Sequence, residues 1–175
     1  WCHPDRAHDV TVNGTLPAEC IGKQDFVKLD TTFGVSGGYP NGLGEPRAID
    51  VDANGTADFV YAGDMQGNFF RFDITSDDYD DWSVTKIFEA KYIDPDTMAE
   101  TPQPITTQPI AIIHPTEEDG FIIIFATGAY MRTGDSTDPS IHSIYGIWDR
   151  LGPTLIDKQL DLVAQDFTNL VDEFG

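Results

Sequence analysis

The chain has 175 residues, enough for one domain with a buried core. Ten basic side chains stand against thirty acidic ones, a formal net charge of −20, which disfavours nucleic acid and anionic membrane surfaces as partners because both would repel it. No apolar run approaches the roughly 18–20 residues of a spanning helix, so no membrane insertion is expected.

The sequence opens Trp1-Cys2-His3, with no Met, basic stretch or apolar core of a leader, so any export signal is expected to have been removed or to lie outside it. Residues 1–45 read as a loop-rich segment. Cys2 and Cys20 are the only cysteines, and an even count in a chain read as exported points first to a disulfide. Closing that loop would contribute about 3 kcal/mol on the chain-entropy account. The rival is a zinc site of Cys2, His3, His8 and Cys20, whose spacing matches no familiar zinc module. Gly34, Gly37, Gly38, Gly42 and Gly44 form a flexible connector, since no lysine follows to complete a phosphate cradle. Asn-Gly-Thr sequons start at Asn13 and Asn54, and the second is read as metal chemistry.

From Pro46 to the end the pattern is strand and turn. Ala48-Ile49 leads into Asp50-Val-Asp52-Ala-Asn54-Gly55-Thr56-Ala-Asp58, with oxygen-bearing side chains at loop positions 1, 3, 5, 7 and 9 and glycine at 6. A hard divalent cation takes about six to eight oxygens, and alternate residues of a tight loop can aim theirs at one point. Gly55 allows the sharp turn because it can adopt positive φ. An EF-hand is excluded, because its twelfth position needs a bidentate Glu and here holds Tyr61. A metal-free Asp/Asn/Gly turn is the plain alternative. It would crowd the charges of Asp50, Asp52 and Asp58 without compensation. Calcium is therefore the expected cofactor, with Asp58 the last ligand before a strand.

Phe59-Val60-Tyr61 and Asn68 to Phe72 flank Gly63-Asp64-Met65-Gln66-Gly67 and read as a hairpin. Asp73 to Asp81 holds five Asp in irregular register and reads as a solvated loop, with a second cation site as the rival. Trp82 to Ala90 suggests a strand, and Tyr92 to Pro104, broken by three prolines, an irregular connection. Ile105 to Ile113 resumes strand character, with Pro109 marking an edge or bulge. Phe121-Ile-Ile-Ile-Phe125 reads as a strand buried on both faces. Ile141 to Trp148 is a further strand, and Trp148 is expected to anchor packing between neighbouring blades of sheet. In the tail, Leu155 to Phe174 approaches a helical period, while a strand is favoured before about residue 168.

Catalytic patterns are lacking: no Gly-x-Ser-x-Gly elbow, no HExxH pair and no P-loop. His3, His8, His114 and His142 are scattered, and no carboxylate pair can be assigned acid and base roles. The chain is read as non-enzymatic.

The block DxDxNGTAD followed directly by FVYAGDMQGNFFRFD resembles the C-terminal β-propeller domain of the PilY family of type IV pilus tip and biogenesis proteins. Gln103-Pro104-Ile105-Thr106 with Pro109, Ala126 to Met131, and Tyr145-Gly146-Ile147-Trp148-Asp149 extend the resemblance over about residues 42–149, in the family's order. It implies an all-β chain, part of a propeller of quinoprotein-like type, with a calcium loop leading into a strand. A four-stranded blade takes about 40–45 residues, so the chain holds about four blades' worth and is expected to be part of a longer protein. The resemblance implies that Asp50, Asp52, Asn54 and Asp58 ligate calcium by side chain and Thr56 by its carbonyl. Asn54 stands where the family often has Asp, which removes one charge. It further implies a surface location at a pilus tip, pilin or minor-pilin partners, an unidentified surface receptor, and roles in pilus biogenesis, extension and retraction, and adhesion. The family's Arg-Gly-Asp has only the approximate counterpart Arg132-Thr133-Gly134-Asp135, so no host receptor is carried over. Two alternatives stand beside this reading. One is an integrin-like or other secreted binding propeller with a structural calcium. The other, a quinoprotein dehydrogenase, would need adjacent cysteines that the chain lacks.

Overall fold

The computed structural model describes residues 27–34, 41–116, 120–131, 133–137, 139–158 and 161–163. The expected Cys2–Cys20 bridge and the zinc alternative with His3 and His8 lie outside the described residues. Strands β1 (Arg47–Ile49), β2 (Phe59–Gly63), β3 (Asn68–Asp73) and β4 (Ser83–Glu89) pair antiparallel in that order, as a meander. The β2–β3 hairpin is the one expected, and it turns through Gly67 at φ +85°, a conformation that favours glycine. A second antiparallel sheet follows in the order β7 (Ile110–Ile113), β8 (Phe121–Ala126) and β9 (Ile144–Asp149).

The two sheets share one core, because alternate residues of each strand point the same way. Phe59, Tyr61, Phe69 and Phe88 of the first sheet meet Phe121, Ile123, Phe125, Tyr145 and Ile147 of the second. Phe69 stacks on Phe125 with ring centroids 4.3 Å apart, and Phe88 lies 5.0 Å from Tyr145. Such pairs add roughly 0.5–1.5 kcal/mol each beyond the area they bury. Between the sheets the chain passes at very close range: a Cβ on Gly63 would lie 2.3 Å from the Ile105 side chain, so this position admits no larger residue. Ile105 N–H donates to Asp64 C=O at 2.8 Å, and Gly128 N–H to Pro104 C=O at 2.7 Å, which ties the connection to both sheets.

Five expectations are corrected. The connection after β4 is not irregular, since β5 (Lys91–Ile93) and β6 (Glu100–Pro102) form a short ribbon. Its turn closes on Asp94, whose carboxylate accepts from Asp96 N, Thr97 N and the Thr97 hydroxyl. Pro102 is tolerated at the strand's last position, where a missing donor costs little. Strand β7 begins only at Ile110; Ile105 makes a lone parallel bridge to Gly128 instead. Strand β8 is central but buried on one face alone, with Phe121, Ile123 and Phe125 inward and Ile122 and Ile124 outward. Trp148 is stacked on His114 at 4.3 Å, with the Arg150 guanidinium 3.9 Å from its ring, and lies outside the core these two sheets share, so it does not anchor them to each other. In the tail, the described residues after β9 form no strand. Ile156 N–H instead donates to Ile87 C=O at 2.8 Å, and Ile156 and Leu162 pack on the shared core.

Candidate metal centre

The loop between β1 and β2 is pinned at its base. Asp58 N–H donates to Ile49 C=O at 2.8 Å, and Asp58 C=O accepts from Ile74 N–H at 2.9 Å. Between these anchors the backbone turns twice through the left-handed region, at Ala53 (φ +59°) and Gly55 (φ +92°). Glycine does so freely, whereas for alanine it costs about 1–2 kcal/mol.

The turns bring Asp50, Asp52 and Asp58 together, each offering a carboxylate oxygen within 4.8 Å of the others. Asp58 accepts from Val51 N at 2.6 Å, and Asp50 from Gly55 N at 2.9 Å and Asn54 N at 3.2 Å. Asp52 accepts from Asn54 N at 3.1 Å and from Asn54 Nδ2 at 3.0 Å. The Asn54 side-chain oxygen takes Thr56 N at 2.7 Å together with the Thr56 hydroxyl. These bonds orient the carboxylates without neutralising them. Asp50 and Asp52 are exposed and Asp58 is half-buried. At this spacing each pair of like charges repels by roughly 1–3 kcal/mol, between the dielectric of water and that of a protein surface. Among the described residues no ion pair includes any of the three. The donor set is all oxygen, which suits a hard cation such as calcium and not zinc. With Asn54 and the Thr56 carbonyl it could offer five ligands, leaving places for water.

The other acidic loop does not converge in this way. Ser76, Asp78 and the 3₁₀ turn Tyr79–Asp81 are held by local bonds such as Asp80 N to Asp78 Oδ1 at 3.0 Å, and Asp73 caps Thr75. The three-carboxylate group at the β1–β2 loop is the one such cluster among the described residues.

A buried site escaped the reading of the sequence. Arg71 Nη1 reaches both oxygens of Asp149, at 2.7 and 3.0 Å, with the two side chains 6% and 3% exposed. Tyr61 donates its hydroxyl to Asp149 Oδ2 at 2.8 Å, and Arg71 Nη2 donates to Leu151 and Gly152 C=O. Burial, reinforced by the Asp149 carboxylate, pushes the Tyr61 hydroxyl far above its ordinary value, with Arg71 opposing. This cluster joins β2 and β3 to β9, across the two sheets. Its signal was an arginine set within the apolar run Phe69-Phe70-Arg71-Phe72 and the Asp149 that ends Tyr-Gly-Ile-Trp-Asp.

Residues 26–165 match the family described as the PilY1 beta-propeller domain. Two type IV pilus biogenesis factors PilY1 from Pseudomonas aeruginosa strains are similar at 35% identity over 134 residues and 38% over 133, each match covering 65% of this chain. A PilY1 homolog of Xylella fastidiosa is 30% identical over 142 residues, covering 79% of this chain and 9% of that protein. The crystal structure of the Pseudomonas aeruginosa PilY1 C-terminal domain superposes with a TM-score of 0.56 at 33% identity, covering 68% of this chain and 28% of that one. The matched part spans only 12% and 11% of the length of the two Pseudomonas relatives.

Proposed function

The chain belongs to the PilY1 β-propeller domain family, and on that footing we propose that it serves as a calcium-binding propeller region of a type IV pilus-associated surface protein. The observation that carries the metal reading is the convergence of Asp50, Asp52 and Asp58 within 4.8 Å of one another, with no ion pair to any of them among the described residues. In this reading Asp50, Asp52, Asn54 and Asp58 hold calcium by side chain and Thr56 by its carbonyl. Bound calcium would neutralise the trio and fix the loop where it enters β2. Magnesium would substitute poorly, because it demands a tighter octahedron and releases water reluctantly.

The wider role rests on family membership: pilus biogenesis, the balance of extension and retraction, and adhesion, at the cell surface with pilins or minor pilins and an unidentified receptor as partners. The reading is non-catalytic. The buried carboxylates support it, since Asp149 is taken up by Arg71 and Tyr61, and Asp64 accepts from Asn41, Asn68 and Gln66.

The test is calorimetric titration of metal-stripped protein with calcium, wild type beside Asp58→Ala, followed by twitching motility of cells carrying each form. Binding heat in the wild type, its loss in the variant, and impaired twitching are expected. Equal heats from both proteins overturn the calcium reading, and normal twitching of a non-binding variant overturns its link to pilus function.

A further inference from the structure

Asparagine carries a chemically labile amide, and before glycine it is most open to attack by the next residue's nitrogen, which no Cβ shields. Among the described residues this pair occurs at Asn41-Gly42 and at Asn54-Gly55. The two settings differ in the groups that bear on that reaction.

At Asn54-Gly55 each participant already has a partner. The Gly55 N–H donates to Asp50 Oδ2 at 2.9 Å, so the attacking nitrogen has a carboxylate toward which its proton can move. The Asn54 side-chain oxygen, where negative charge develops, accepts from Thr56 N–H at 2.7 Å and from the Thr56 hydroxyl. The Asn54 amide nitrogen, which must leave, donates to Asp52 Oδ2 at 3.0 Å. Asn54, Gly55 and Thr56 are all exposed, so water reaches them. A Cβ built on Gly55 would meet nothing within 4 Å, which leaves the pair room to close.

At Asn41-Gly42 the same groups are otherwise engaged. The Gly42 N–H donates to the Asn41 side-chain oxygen at 3.0 Å, so its proton is spent on the very group it would attack. The Asn41 amide nitrogen is held by Asp64 Oδ2 at 2.6 Å and by Phe33 C=O at 3.3 Å. Gly42 C=O accepts from Met65 N–H at 3.1 Å, which fixes the other half of the pair.

We propose that Asn54 is a self-modification site: when no cation holds the loop, Gly55 N attacks the Asn54 side-chain carbonyl carbon and the asparagine becomes aspartate or isoaspartate. The bond from Gly55 N to Asn54 Cγ forms as that from Cγ to Nδ2 breaks. The departing nitrogen takes up the Gly55 proton and leaves as ammonia. Water then opens the cyclic imide. Opening at the side-chain carbonyl gives aspartate, a further carboxylate beside Asp50, Asp52 and Asp58. Opening at the main-chain carbonyl gives isoaspartate, which lengthens the main chain within the turn. A bound calcium would draw the Asp50, Asp52 and Asn54 oxygens away from these roles and protect the residue, a consequence that rests on the calcium reading above.

The test is incubation of the whole polypeptide, stripped of metal with a chelator, in warm neutral buffer. Peptide mass spectrometry reads the acid products at Asn54 and at Asn41 in the same sample. One oxyanion donor is worth about a hundredfold in a water-excluded enzyme site, and water competes for it here, so several-fold effects are expected. Asn54 should convert several-fold faster than Asn41, and several-fold faster than in the same protein unfolded in urea. Thr56→Val, which removes the hydroxyl donor, should slow Asn54 several-fold and leave Asn41 unchanged, while Thr56→Ser should match the wild type. The comparison of folded with unfolded wild type requires no variant to fold. Conversion of Asn54 no faster folded than unfolded, or a folded Thr56→Val protein that matches the wild type, overturns the proposal. Calcium should slow Asn54 and spare Asn41; an equal Asn54 rate with and without calcium overturns the calcium reading and leaves self-modification standing.

Discussion

Asp149 and Asp58 lie at two ends of the same problem, a carboxylate in a folded chain. Asp149 is 2% exposed, and the chain supplies its cation, Arg71, and a hydroxyl, Tyr61, from the neighbouring sheet. Asp58 stands with Asp50 and Asp52 at the sheet's rim, held by backbone N–H groups and by no cation of the described residues. Where the fold provides the counter-charge, the carboxylate is an internal strut. Where it provides only orientation, the proposed calcium would complete the arrangement from outside. The two sites should therefore answer differently to the same treatments.

The largest difference should come from removing one partner. Arg71→Met leaves Asp149 charged and buried, and breaking a buried pair in this way costs about 3–5 kcal/mol. The double change Arg71→Met, Asp149→Leu should recover much of that, read by urea denaturation. A loss below about 1 kcal/mol for the single variant would erase the contrast with the loop. Next comes metal. At a hundredfold excess over its dissociation constant, calcium should add about 2.7 kcal/mol to the wild type and nothing to Asp58→Ala. Hydrogen exchange should tighten over the β1–β2 loop while Phe121–Phe125 stays as it was; protection gained equally at both would show that the sites are not independent.

Smaller again is Tyr61→Phe, which removes one hydrogen bond to a charged group at about 2 kcal/mol. The hydroxyl's titration is raised on folding, so its contribution is complete below the ordinary tyrosine value of about 10 and declines as pH climbs above that toward the raised value. Wild type should lose stability above about pH 10 more steeply than Tyr61→Phe, and parallel pH curves would remove Tyr61 from the cluster. The smallest effect is a gain. Ala53→Gly relieves the positive φ at the loop and, after the entropy of the freer unfolded chain is subtracted, should stabilise by about 0.5–1 kcal/mol. A loss instead would mean that alanine's restriction of the loop outweighs its strain.

The loop and the β2–β3 hairpin were legible because their signals are local, one residue type every second position and glycine at the turn. The Arg71–Asp149 pair was not, since its partners are 78 residues apart and neither predicts the other. The β5–β6 ribbon was hidden by Pro95 and Pro102, which read as breakers although a two-stranded edge can hold them at its end. The run Phe121 to Phe125 shows that apolar continuity reports what a strand could bury and not which of its faces is covered. Trp148 was expected to reach across sheets, but His114 at the end of β7 offered a stacking partner close by, which no spacing rule reveals.

Asp58 is bonded three ways: its N–H to Ile49, its C=O to Ile74 and its carboxylate to Val51. Strand β1 is only three residues long, so by itself it would peel from β2 under a modest pull. Tension arriving from the N-terminal side meets the bonds of Gly42 and Gly44 to the β2–β3 hairpin first, then the short ladder, and the closure at Asp58 last. The final hold on this edge is thus one residue, and a cation gripping the same carboxylate would convert a weak hem into a seam whose strength follows the ion's concentration.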